Sequence, residues 1–167
     1  MNPETTIDAR FGDEHATPTP WSTAEEILDT AEIFWLTTVR RDGRPHTVPV
    51  LAVWVDGALC LPTGRTEQKV VNLNGNDRVT IMTTRGENSF GGGLDIVIEG
   101  AAERTTDREL LQQVADRFRS KYDWNFTVTD EGLTNEEHGH PIVLRIAPKT
   151  AFGFSRNPYS QTRWRFS

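Results

Sequence analysis

Hydrophobic positions in this chain alternate between the two-residue period of a strand and the 3.6-residue period of a helix, with turn residues marking most of the changes. Residues 1–20 follow neither period and contain Pro3, Pro18 and Pro20, which predicts an extended N-terminal arm ahead of a single domain over 21–167. Ser22-Thr23-Ala24-Glu25 has the spacing of a capping box, so a short helix is expected from Ser22 to about Thr30, burying Ile27 and Leu28. From Ile33 the period becomes that of strands. The runs IFWLTTVR, PHTVPVLAVWV and ALCLPT are separated by Arg41-Asp42-Gly43-Arg44 and by Asp56-Gly57. Asp-Gly suits tight hairpin turns, where positive φ is required, so three antiparallel strands are predicted.

The second of these strands is apolar on both sides. His46, Val48, Val50, Ala52 and Trp54 would point one way, and Thr47, Pro49, Leu51, Val53 and Val55 the other. An antiparallel strand usually keeps one wet face, so a helix or a second subunit is expected over its outside. Pro49 lacks a ladder donor and implies an edge or a bulge. Next comes a helix leading to Asn74-Gly75-Asn76, then a strand from Arg78 to Thr84, a loop with Gly91-Gly92-Gly93, and a clear alternation from Leu94 to Glu103. Thr106-Asp107-Arg108-Glu109 opens a helix with Leu110, Leu111, Val114, Phe118 and Tyr122 on its apolar side. Residues 123–141 are expected to be a loop, with strands at 142–147 and 151–154. About six strands joined by hairpins, with about three helices, predict an α+β antiparallel barrel or rolled sheet.

Composition narrows the function classes. A formal net charge of -6 without clustered cations argues against nucleic acid and against an anionic membrane surface. No apolar run reaches the roughly 20 residues of a bilayer span, and the polar start lacks a signal-peptide core, so a cytoplasmic protein is expected. The single cysteine, Cys60, lies in an apolar run and is expected to be a buried structural thiol.

Candidate chemistry gathers at LPTGRTEQKVVNL, residues 61–73. A strand delivers Thr63 and Gly64 to a helix start, with Arg65, Thr66 and Lys69 close by, a set that suits an anion. The same residues also suit a capped surface helix with solvated cations, and no Walker pattern is present. Glu136-Glu137-His138-Gly139-His140 lacks the spacing of a helical zinc motif, so no metal is expected. His46 in an apolar strand fits a core histidine, and no nucleophile, histidine and acid set with a recognisable elbow is visible. Trp164, between Arg163 and Arg165, has the chemistry to stack on a planar ligand or to serve an interface.

Three stretches together resemble a known family: WLTTVRRDGRPHTVPVLAVWVDGALCLPTGRTEQKVVNLNGNDRVTIMTT, DIVIEGAAERTTDRELLQQVADRFRSKYDW and the terminal SQTRWRF. They are similar to the pyridoxamine 5′-phosphate oxidase-like split-barrel family, closest to its flavin and deazaflavin oxidoreductase branch. The resemblance implies a six-stranded antiparallel split β-barrel flanked by helices. It also implies a homodimer with cofactor sites between subunits and a small-molecule substrate. Coenzyme F420 is the preferred cofactor and FMN the other. Thr47, Pro49 and Val50 would border the ring, and Thr63, Gly64, Arg65, Thr66 and Lys69 would hold the phosphate. Trp164 and Arg165 would line the cleft, and Arg40, Arg41 and Arg44 would favour the polyglutamate tail of F420. No catalytic side chain is assigned. The extra basic residues that vitamin B6-oxidising members use are not matched. The expected reaction is hydride transfer to an electron-poor acceptor; the alternative is a non-catalytic FMN, F420 or haem carrier or sensor on the same fold.

Overall fold

The computed structural model describes residues 2–86 and 91–167. The first helix, α1 (Trp21–Thr30), starts one residue before the predicted cap, and Ser22 lies inside its first turn without capping it. Burial of Trp21 explains the shift: its ring packs edge-on against Trp54, Trp164 and Phe166, and only a helical Trp21 continues the buried stripe of Ala24, Ile27 and Leu28. Strand β2 (Phe34–Val39) then pairs antiparallel with β3 (Pro45–Val50). In the turn between them only Gly43 takes a positive φ, 84°, while Asp42 Oδ1 accepts from the Arg44 amide. Expected positive φ at both central residues occurs instead at Asp56 and Gly57, between β4 (Val53–Val55) and β5 (Ala58–Thr63).

The single strand expected over 45–55 is two strands. Ala52 and Val53 are consecutive and both fully buried, which a two-residue alternation does not allow, and the chain changes partner there from β2 to β5. Strand β3 lies at the end of the sheet, where the missing N–H of Pro49 is tolerated. After β5 come α2 (Gln68–Leu73), β6 (Arg78–Arg85) and β7 (Leu94–Thr105). Helix α3 (Arg108–Tyr122) follows, with Asp107 rather than Thr106 as its cap, accepting from the Leu110 amide at 2.9 Å. The expected loop at 123–141 contains a small hairpin, β8 (Thr127–Thr129) and β9 (Gly132–Thr134). The last strands are β10 (Ile142–Arg156) and β11 (Tyr159–Arg165).

Residues Glu4–Gly12, within the stretch predicted as an arm, form β1 and pair with β11. The main sheet therefore has nine strands in the path β1-β11-β10-β7-β6-β2-β3, with β5 on β10 and β4 on β5. Six strands do not describe it, and among the described residues no pairing of β3 with β1 or β4 closes a barrel. The architecture is a mostly antiparallel sheet with few helices. It branches at β10, which pairs with β7 along nearly its whole length; on its other edge β5 takes residues 142–146 and β11 takes 150–156. A bulge between Pro148 and Thr150 falls at the handover.

Two cores result. One lies inside the curved sheet and under α1, and includes Phe34, Leu36, Leu59, Leu61, Ile81, Ile98 and Trp164. The other lies between α3 and β4, β5 and β10, with Phe118, Leu111, Val114, Val53, Cys60 and Val143. Burial pushes the Cys60 thiol up to about 12, as suits a structural cysteine. Gly153 sits so close under Trp164 that a Cβ there would lie 2.5 Å from the indole. Gly153→Ala is expected to cost about 1–3 kcal/mol through this overlap; a urea-unfolding midpoint equal to that of the wild type would refute the packing account.

Candidate functional site

The turn that leaves β5 is where the predicted anion-binding residues gather. Its geometry differs from the helix start expected there. Helix α2 begins only at Gln68 and has six residues, so Thr63 to Thr66 form a turn ahead of it, with Glu67 in the capping position. The Glu67 amide bonds back to the Gly64 carbonyl, and the Glu67 carbonyl accepts from Val70 and Val71. These bonds hold the Glu67 backbone in place.

Its side chain folds into the turn. Glu67 Oε1 accepts from the Gly64 amide at 2.7 Å and from the Thr63 hydroxyl at 3.0 Å, while Oε2 accepts from Lys69 Nζ. Lys69 is only 8% exposed, and one donor of its ammonium makes this contact. Gly64 eases the close approach, since a Cβ there would meet Glu67 Oε1 at 3.2 Å. Burial alone would raise the Glu67 carboxyl, but the bonds from Lys69 and Gly64 outweigh it and hold the group below its ordinary value. A hydroxyl, an amide and an ammonium therefore converge on one anionic group, and the donor set fits a phosphate oxygen as well as a carboxylate.

Helix α2 is fixed to the sheet by a relay of polar side chains. Gln68 Nε2 donates to Asn72 Oδ1 at 2.8 Å, Asn72 Nδ2 donates to the Thr38 hydroxyl at 2.9 Å, and that hydroxyl donates to the His46 carbonyl at 3.4 Å. Asn72 is 6% exposed, so this bond is made away from water and sets the position of α2 against β2 and β3. On the solvent side of the same contact lies an open cavity of about 790 Å³ bordered by Arg40, Arg41 and Arg44 of the first hairpin and by Gln68, Asn72 and Asn76. Asp42 neutralises one of these cations through its 2.7 Å pair with Arg44.

Other predicted site residues lie elsewhere. Arg65 turns away to Glu131 at 3.2 Å, a carboxylate it shares with Arg104. Thr66 is exposed. Thr47 and Pro49 face outward from β3, where Thr47 shares a 2.9 Å hydroxyl contact with Thr37 and Pro49 stands opposite Trp35. Val50 faces inward against the core. Trp164 is fully buried, 5.3 Å from Trp21 between ring centres, and donates its indole N–H to the Thr19 carbonyl, so within this chain it serves the core rather than a cleft. Arg165 is exposed on β11, opposite Thr150 and Glu4. His138 stacks on Trp124 at 3.7 Å and His140 bonds Thr134. Residues 87–90 of the loop predicted ahead of Leu94 lie outside the described residues; Gly92 is held by Arg156 at 3.2 Å. No helix among the described residues is long and apolar enough to cross a membrane.

A branched antiparallel sheet carries a turn of converging donors at the end of its most buried strand. The chain belongs to the pyridoxamine 5′-phosphate oxidase family, whose sequence model matches residues 21–154. Solved structures repeat the fold at low identity. A conserved hypothetical protein of Mycobacterium tuberculosis is 19% identical with a TM-score of 0.70, over 92% of this chain and 91% of that one. An FAD-binding protein of Mesorhizobium loti is 15% identical with a TM-score of 0.61, over 99% and 100%. An F420 reductase is 20% identical with a TM-score of 0.56, over 76% and 94%. No curated protein sequence matches the chain.

The lowered carboxyl of Glu67 gives a pH signature. Its folded value lies below its unfolded one, so its contribution to stability is present above about 4.5 and is lost as pH falls through the folded value. With the side chain half exposed, that contribution is below about 1 kcal/mol. Wild type is expected to lose more stability than Glu67→Gln between pH 6 and pH 3 in urea unfolding; parallel curves for the two proteins would contradict this.

Proposed function

We propose that this protein binds a flavin or deazaflavin cofactor through a phosphate held at the Thr63–Lys69 turn and acts as an oxidoreductase on a small electron-poor acceptor. One observation carries the reading: Thr63, Gly64 and Lys69 already direct three donors at a single anionic group. Family membership and the fold shared with an FAD-binding protein and an F420 reductase support the cofactor class.

Of the two cofactors expected, F420 is preferred over FMN. The cavity beside α2 supports that preference, because Arg40 and Arg41 border it beside the Asp42-paired Arg44 and suit a ligand with several carboxylates. When bound, the cofactor supplies the hydride chemistry. The chain's residues would place it. Lys69 would supply the charge at the phosphate, Thr63 and Gly64 the neutral donors, and the outward face of β3 at Thr47 and Pro49 a wall for the ring. The Gln68–Asn72–Thr38 relay would keep the turn and that wall in fixed relation.

A homodimer belongs to the same proposal. Trp35 is 48% exposed and Met82 39%, and they stand side by side across β2 and β6 next to Pro49 on the outer face of the sheet. Apolar side chains aligned in this way suit the face of a second copy, which would also shield a cofactor ring from water.

Two measurements test the proposal. In fluorescence titrations with F420 and FMN, Lys69→Ala is expected to weaken binding by about 1.5–3 kcal/mol, the range of a charge-assisted contact. Unchanged affinity in the folded variant removes Lys69 from the site, and binding of neither cofactor by wild type overturns the reading. In sedimentation equilibrium the wild type is expected to be a dimer and Trp35→Glu a monomer; a monomeric wild type refutes the shared site.

A further inference from the structure

The donors proposed to hold a phosphate are already engaged by a carboxylate of the chain itself. The geometry points to Glu67 as a specificity-determining residue: a tethered anion in the phosphate cradle that disfavours a phosphomonoester and admits a singly charged phosphodiester. This inference rests on the cofactor reading above, and it concerns which charge state of ligand that site accepts.

The argument is one of charge and tether. Thr63, Gly64 and Lys69 each bond Glu67, and Lys69 is the cation that reaches the cradle, since Arg65 pairs instead with Glu131. The cradle and its carboxylate together are therefore electrically neutral. A ligand phosphate must displace the carboxylate from these donors. Glu67 cannot then move far, because its backbone amide and carbonyl are bound to Gly64, Val70 and Val71. A displaced carboxylate stays within a side chain's length of the ligand, where the repulsion between them grows with the ligand's charge. A phosphomonoester carries about two negative charges at neutral pH and a phosphodiester about one. The monoester gains more from Lys69 but meets the greater repulsion from Glu67, and without Glu67 only the attraction remains. The chain thus carries an element directed against one class of ligand beside the attractive contacts.

The test follows the phosphate rather than turnover. Wild type, Glu67→Ser and Glu67→Gln are titrated with FMN, a monoester, with F420, a phosphodiester, and with riboflavin, which has no phosphate. Serine is a favoured capping residue, so Glu67→Ser keeps the start of α2. It is expected to tighten FMN about tenfold, to tighten F420 distinctly less and to leave riboflavin unchanged; Glu67→Gln moves in the same direction. A misfolded variant would lose affinity, so a gain cannot come from damage. An unchanged ratio of FMN to F420 affinity in both variants overturns the inference while leaving the cofactor reading intact. If wild type binds none of the three, the cofactor reading fails, and inorganic phosphate decides the matter by thermal unfolding. Phosphate that stabilises Glu67→Ser and not wild type supports Glu67 as the excluding group, and equal response or none overturns it.

Discussion

Strand β5 is buried on both faces, and the position of everything chemical in the molecule follows from that. Leu59 and Leu61 enter the core inside the sheet, while Cys60 enters the core under α3. One edge of the strand is bonded to β4 and the other to β10, so neither face nor edge has freedom to shift. A strand held in this way cannot slip by one residue without exchanging the side chains of two cores. Thr63 is its last residue and Gly64 the next, so the turn inherits the rigidity of the strand.

The branch at β10 makes that double burial possible. Beyond residue 146 the edge of β10 passes from β5 to β11, with the bulge at Pro148 to Thr150 at the change. One strand thus serves both the sheet that wraps the first core and the layer that separates it from the second. Helix α3 covers the outer layer with Leu111, Val114 and Phe118, and α1 covers an opening of the inner one with Trp21, Ile27 and Leu28. Helix α2 rests Val70 and Leu73 against the inner core, and the buried Asn72–Thr38 bond fixes it to β2.

The site shows how a charged turn is kept stable before any ligand arrives. A lysine 8% exposed with no counterion would be costly, and Glu67 removes that cost by folding its carboxylate onto Lys69, Gly64 and Thr63. On the proposed reading, stability and ligand choice depend on the same carboxylate. If a phosphate binds at this turn as proposed, the carboxylate that neutralises the cradle is the one it would displace, against a resistance set by the ligand's charge.

Much of this was legible in the residues alone. Period-two runs marked most of the strands, the Leu110 to Tyr122 spacing marked α3, and the Thr63 to Lys69 cluster marked a candidate anion site, because these signals are local. Where the sequence misled, a distant contact outweighed a local rule. Ser22 does not cap α1 because Trp21 is wanted by Trp164, far along the chain. The apolar run 45–55 divides because Val53 pairs with Cys60 while Val50 pairs with Phe34. Glu67 had a local signal, a carboxylate three residues after Gly64 and two before Lys69, but only the folded turn aims it at both. The sequence by itself determined most of the strands, helix α3 and the family; the strand within residues 1–20, which strand is buried twice, where Trp164 goes and which of the clustered donors converge were decided by tertiary structure, since each depends on groups that meet only after the sheet has branched.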